Sequence, residues 1–266
     1  MKLFKFWTSE KVTIDIDGQP TEVTCWGGSN VSVEDAKLRA REKASLVERK
    51  IEGEKNLFAD YEAEIREEIL KVIDDKSIIS RNRYGAQVLN TEGLMFLDID
   101  KPPFSLSGLF KRSGSPDHKQ KIFDMVRKLA SSPKYNMLGF RIYETFAGAR
   151  VIVLGRDFDP RDKAVSAMMK EFNTDPLYAL LCTKQNCFRA RLTPKPNRIK
   201  VKGYRVKYPR REDEAKFQTW LKDYEYKSRD YSVCKFIEQI GSGYSTPDVV
   251  RWHDEMTGAT VTRPLA

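Results

Sequence analysis

Asp98 and Asp100 are the residues whose type and spacing point most directly to chemistry. They close the run Leu94-Met95-Phe96-Leu97-Asp98-Ile99-Asp100, in which an apolar stretch ends in two carboxylates two residues apart. On a strand, residues so spaced point to the same face. Carboxylates held side by side repel unless a cation, a proton or a basic group lies between them, so the pair is a candidate ligand set for Mg²⁺ or Mn²⁺. The plainer alternative is a solvated strand end that leads into the turn Lys101-Pro102-Pro103.

A second signal is where the positive charge lies. The 266-residue chain carries a formal net charge of +9, yet residues 183–211 hold eleven Lys or Arg and no Asp or Glu, so the remainder is slightly acidic. Arg189, Arg191, Lys195, Arg198 and Lys200 lie in this segment with Phe188, Tyr204 and Tyr208 among them. Cations interleaved with aromatic rings suit a polyanion that also stacks, which means nucleic acid or a nucleoside triphosphate. The competing explanation is a basic hairpin that solubilises the fold.

Other chemistries find less support. Cys182, Cys187, Cys234 and His253 are zinc-ligand types, but Cys-x4-Cys is looser than a usual knuckle and no second close pair exists. Buried free cysteines are therefore expected rather than zinc. His118 and His253 are the two histidines, and no serine has a nucleophile-elbow context, which argues against Ser-His-Asp hydrolysis. An Asp-x-Asp phosphatase is disfavoured because the pair lies far from the N-terminus and precedes Lys-Pro-Pro. No apolar run approaches the roughly 20 residues that cross a bilayer, and no signal-peptide pattern opens the chain, so no membrane association and a reduced, cytoplasmic protein are expected.

The positioning elements follow from periodicity. Alternation over residues 12–16 and 21–26 around Asp17-Gly18 predicts a hairpin, and Ser32 with Asp35 opens a helix over 33–54. A second helix is expected over 61–74, then a strand over 78–90, a turn at 90–93, and 94–100 as its antiparallel partner. That arrangement places the acidic pair on a hairpin, with Arg81 and Arg83 on the facing arm as phosphate contacts. The Pro-, Ser- and Gly-rich stretch 101–116 would be a flap over the site. Next come a helix over 117–131, a hairpin of 137–145 and 149–154 with Arg141, Tyr143 and Thr145 on one face, a helix over 162–172, and a short helix after Asp175-Pro176. The basic segment is expected as a strand over 187–192, a Pro-bounded turn at 193–197, and a strand over 198–208. A helix over 212–226 follows, then short strands and turns that include 234–241 and 249–256. The expected fold is α+β: two layers, an antiparallel-rich mixed sheet and flanking helices. Residues 1–76 would pack on a core of 77–211, with 212–266 completing the same globule.

This order of motifs is similar to the catalytic core of archaeo-eukaryotic primases and primase-polymerases over residues 77–200. Met95-Phe96-Leu97-Asp98-Ile99-Asp100 resembles their first motif, which implies that Asp98 and Asp100 hold the catalytic divalent metals. Thr145-Phe146-Ala147-Gly148-Ala149-Arg150 resembles the second motif, which contacts the phosphates of the incoming nucleotide and implies that role for Thr145, Gly148 and Arg150. Arg150 stands where that family has histidine; arginine can still hold a phosphate, and bidentately. The third motif, a strand-borne acid, has no clear match, although Glu144, Asp157, Asp159, Glu238 and Asp248 are candidates. The resemblance implies metal-dependent nucleotidyl transfer. Its departures leave a non-enzymatic nucleic-acid-binding protein as the alternative, and a protein-interaction module with a basic face as a third reading.

Overall fold

The computed structural model describes residues 1–16, 18–51, 63–100, 118–209, 213–242 and 245–266. The N-terminal alternation becomes β1 (Phe6–Ile16) and β2 (Gln19–Ser29), an antiparallel pair with Val12 opposite Val23. The helix α1 (Val33–Ile51) lies on it through Ala36, Ala40 and Ala44, spaced one turn apart and all buried. Close approach there needs small residues on both sides: a Cβ on Gly27 would stand 2.0 Å from the Ala36 carbonyl oxygen.

The helix expected over 61–74 is a correction, within the described residues. Residues Glu68–Val72 form β3, which pairs with β4 (Ser77–Arg81). Ile69, Leu70, Val72 and Ile73 satisfy a helical stripe on paper, but pairing with a neighbouring strand overrides that preference. The single strand expected over 78–90 is likewise two. The Asn82 side chain accepts from the backbone N–H groups of Tyr84 and Ala86, and Gly85 takes φ +85°, so the chain turns back as β5 (Gln87–Thr91). The hairpin is therefore β4–β5. With β9 (Phe188–Arg191) these strands form an antiparallel sheet of order β3-β4-β5-β9.

At Thr91 the chain changes sheets. Its Oγ1 accepts from the backbone N–H groups of Gly93 and Leu94, and β6 (Met95–Asp100) then runs in a second sheet. That sheet has the order β10-β7-β8-β6, with β7 (Gly139–Thr145), β8 (Gly148–Leu154) and β10 (Cys234–Gly241). The acidic strand thus pairs with β8 instead of residues 78–90, and the register sets Asp98 opposite Arg150 and Asp100 opposite Gly148.

Helices α2 (His118–Ala130) and α3 (Lys163–Glu171) bury Ile122, Phe123, Val126, Val165, Met168 and Met169 in the main core with Met95, Leu97 and Ile99 of β6. The helix α4 (Pro176–Gln185) begins at Asp175, whose carboxylate accepts from Tyr178 N at 2.7 Å, and α5 (Glu214–Ser228) follows the basic segment. Two further expectations change. The strand over 198–208 is instead a 3-10 helix, Pro196–Ile199, followed by residues 201–207 outside any helix or sheet; Pro196 suits a first helical turn, where its missing N–H is no loss. Residues Asp248–Thr257 form the helix α6. The fold class is α+β with antiparallel sheets, as composition and periodicity imply. The flap expected over 101–116 lies outside the described residues.

Candidate functional site

The site grows from one face of β6. Asp98 and Asp100 share that face, and directly across the ladder from Asp98 stands Arg150, with its Nε 3.5 Å from Asp98 Oδ1. Arg150 is buried, whereas Asp98 is about one-third exposed. Burial works most strongly against the Arg150 charge, but Asp98, Cys234 and Tyr178 together outweigh it and the guanidinium pKa is raised. Arg150 Nη1 also donates to the Arg191 carbonyl at 3.0 Å and lies 3.4 Å from His253 Nε2.

His253, on α6, is completely buried, and burial pushes its pKa down to about 4. The neutral ring has one donor and one acceptor. Its Nδ1 lies 3.0 Å from Asp254 Oδ1, which assigns the proton to Nδ1 and leaves Nε2 to accept from Arg150. Asp254 in turn accepts from the Tyr143 hydroxyl at 2.7 Å and from Arg141 Nη2 at 2.6 Å. Desolvation opposes ionisation of Asp254, yet these hydrogen bonds hold its pKa below the usual range. A largely buried chain of four polar side chains, Arg141, Tyr143, Asp254 and His253, therefore ends on Arg150 and fixes its direction.

Three more cations face the acidic pair. Arg191, on β9, has a buried Nε with no hydrogen-bond partner, and no carboxylate among the described residues pairs with its side chain. Burial first, and the neighbouring Arg150 charge second, push its pKa down to about 10. Lys195 lies in the Pro-bounded turn and Arg198 in the 3-10 helix that follows it; burial lowers both, and Asp100 and Asp98 partly offset this. The Arg198 guanidinium also sits 4.3 Å over the ring of Phe146, an exposed aromatic at the β7–β8 turn. Desolvation, and then Asp98, raise the Asp100 pKa, against the pull of Lys195 and Arg198.

Four of the expected site residues are not brought to this cluster, and two at the β7–β8 turn serve backbone geometry. Arg189 Nη2 donates to both carboxylate oxygens of Glu67, at 2.7 and 2.6 Å, in a buried structural pair. Arg81 is buried between Glu68 and Glu225 and donates to the Gly85 carbonyl, which ties α5 to the first sheet. Arg83 is solvent-facing and covers the Tyr84 ring, and Lys200 is exposed at the end of the 3-10 helix in a left-handed conformation. Thr145 Oγ1 accepts from Gly148 N at 3.0 Å and closes the turn. A Cβ on Gly148 would stand 2.0 Å from the Ile99 carbonyl oxygen, so glycine there permits the β6–β8 pairing. Conversely, His253, Asp254 and Phe146 were not expected at the site. Apart from the alternation of Arg141 and Tyr143, no sequence signal marks that network.

The candidate third acids lie elsewhere. Asp157 pairs with Lys76, Glu144 with Lys119, Glu238 with Arg127 and Asp248 with Arg251, while Asp159 accepts from Arg161 N. Asp175 comes nearest: its backbone N donates to the Asp98 carbonyl at 2.9 Å and its charge contributes to raising the Asp100 pKa, but its side chain caps α4. Among the described residues no group of three His, Cys, Asp or Glu could hold a metal ion. Two carboxylates fit a Mg²⁺ or Mn²⁺ whose shell is completed by substrate phosphates and water, and do not fit an all-protein cage. All four cysteines are free and buried, and His253 is committed to Arg150 and Asp254. No helix among the described residues is long and apolar enough to cross a membrane.

No family model matches the chain, and neither a curated protein nor a solved structure matches it.

Proposed function

We propose that this protein binds the phosphates of a nucleotide or nucleic acid beside Asp98 and Asp100, with Arg150, Arg191, Lys195 and Arg198 as the phosphate contacts. The observation that carries the proposal is Arg191: a half-buried guanidinium whose Nε is buried and unpartnered, with a second cation beside it. Burying a charge without a partner is costly, and a phosphate oxygen is the partner such a guanidinium suits best. The four cations outnumber the two carboxylates, so the cluster retains positive charge for an anion.

The primase resemblance supports the same site and suggests nucleotidyl transfer. Asp98 and Asp100 would hold Mg²⁺ or Mn²⁺ together with the substrate phosphates, and the ion would act as a Lewis acid on the phosphoryl group. Arg150, oriented by His253, would neutralise a phosphate oxygen from one side, and Arg191 from the other. Arg150 in the histidine position and the missing third acid favour a second reading, phosphate binding without catalysis.

The test is equilibrium binding of nucleoside triphosphates and of single-stranded oligonucleotides across a salt series, with primer synthesis and extension assayed in Mn²⁺. Binding that weakens with salt, and that Arg191→Leu weakens about ten- to a hundredfold, is expected. Extension abolished by Asp98→Asn with Asp100→Asn identifies a transferase, and binding without extension identifies a non-enzymatic binder. Salt-independent or undetectable binding rejects both.

A further inference from the structure

A cleft of about 890 Å³ opens beside Asp100, along the edge of β6 that pairs with no other strand among the described residues. Ile99, Ile122, Met125 and Pro176 give it apolar walls. Its volume falls within the range of roughly 300–1,000 Å³ usual for small-molecule sites. Two of its lining residues carry buried polar atoms with no partner: Thr174 Oγ1, on a residue 5 % exposed, and His118 Nε2. Backbone amides do not use them, although buried hydroxyls and ring nitrogens are nearly always hydrogen-bonded. Such atoms, beside the apolar walls of the cleft, are where an organic ligand with its own donors and acceptors is recognised.

The cleft and the cation cluster meet at one residue. Asp100 lines the cleft and also interacts electrostatically with Lys195 and Arg198. A ligand that crosses Asp100 therefore has an anionic end and a largely neutral, partly apolar end. We propose that the cleft takes the base and sugar of a free nucleotide whose phosphates lie against Arg150, Arg191, Lys195 and Arg198. The inference rests on the phosphate reading above and narrows it, because the backbone of a continuous strand has no reason to leave a recessed cleft beside its phosphates. Lys121 and Lys170 supply donors at the cleft, and Asp175 supplies an acceptor. Sugar hydroxyls and base edges offer the complement. A base recognised by the protein in this way is selected by the protein itself.

The experiment compares tripolyphosphate, the four common nucleoside triphosphates and a short oligonucleotide, each with Mg²⁺, by calorimetry. The triphosphates are expected to bind at least tenfold more tightly than tripolyphosphate. Thr174→Val, which keeps the side-chain shape and removes an unpartnered hydroxyl, is expected to weaken nucleotide binding about fivefold, to leave tripolyphosphate unchanged, and not to lower Tm. Ala179→Trp, which fills the cleft, is expected to abolish the advantage of nucleotide over tripolyphosphate. Equal binding of tripolyphosphate and nucleotides, unmoved by either variant, overturns the cleft assignment and leaves the phosphate site standing. Tighter binding of the oligonucleotide, insensitive to Thr174→Val, overturns it in favour of a strand-binding groove. Absence of binding by all three probes removes the phosphate site and this inference together.

Discussion

Arg189 and Arg191 stand two residues apart on β9, point to the same face and are both largely buried, yet they live in opposite electrostatic worlds. Arg189 meets Glu67, which also accepts from Ser80 Oγ at 2.6 Å, while Gln185 takes another of its donors. Burial opposes its charge, but Glu67 more than restores it and the pKa is raised. Arg191 meets Arg150 instead, and burial first and Arg150 second bring its pKa down to about 10, against the pull of Asp98. The same residue type, on the same strand, is a structural tie at one end and an open anion receptor at the other. A buried cation reveals its role through the charge that faces it, and proteins keep an unpaired one where a ligand supplies the missing charge.

The contrast can be broken by exchanging what each arginine faces. Glu67→Leu strands Arg189 in the interior and is expected to cost about 3–5 kcal/mol in urea unfolding, with the double variant Glu67→Leu, Arg189→Leu recovering most of it. Arg191→Leu is expected to leave stability unchanged or raise it by about 1 kcal/mol, because it removes a buried donor without a partner. A large destabilisation by Arg191→Leu would place both arginines in the structural class.

The next effect concerns the group that holds Arg150. His253 has its pKa lowered to about 4 from an ordinary 6.5, so between these values the unfolded chain takes up a proton that the folded chain refuses. The associated stability is present in full above pH 6.5 and is lost as pH falls from 6.5 toward 4, on the order of 3 kcal/mol over that window. Asp254, Arg141, Tyr143 and Arg150 are the charged and titratable partners around it. Denaturant unfolding across this pH range is expected to show the slope in the wild type and to lose it in His253→Gln.

Ligand binding sharpens the comparison further. Arg191→Leu is expected to weaken phosphate binding by ten- to a hundredfold, roughly 1.5–3 kcal/mol for a hydrogen bond to a charged group. The double variant Glu67→Leu, Arg189→Leu should leave phosphate binding unaltered. Calorimetric titration separates the two. The smallest effects belong to Arg83→Ala and Lys200→Ala, which are solvent-facing and should change stability by no more than about 0.5 kcal/mol. A larger loss of binding in Lys200→Ala would extend the phosphate site beyond the 3-10 helix.

Much of the fold was legible because it rests on local rules. The alternation around Asp17-Gly18 became β1 and β2, Ser32 Oγ accepts from Asp35 N at the start of α1, Asp162 caps α3 and Asp175 caps α4, and the strand at Cys234–Gly241 has the expected ends. In the site, the placement of Asp98 and Asp100 on one face of a strand, and of Arg150 beside a glycine turn, followed from period and turn chemistry. What misled was pairing. Residues 68–72 satisfied a helical stripe, and residues 94–100 sat one short turn after another strand, so adjacency in the chain suggested a hairpin that the crossing at Thr91 does not make.

The residue types and their spacing were enough to set an acidic pair at the end of a buried strand and to gather the excess positive charge into one segment, because side-chain direction and composition are local properties. Tertiary structure alone decided which charge meets which. It gave Arg189 a glutamate from residue 67, gave Arg150 a histidine from residue 253, and left Arg191 facing Asp98 without an ion pair among the described residues. Those assignments join positions more than a hundred residues apart, and a Coulombic interaction depends on distance and burial in space, which no spacing along the chain encodes.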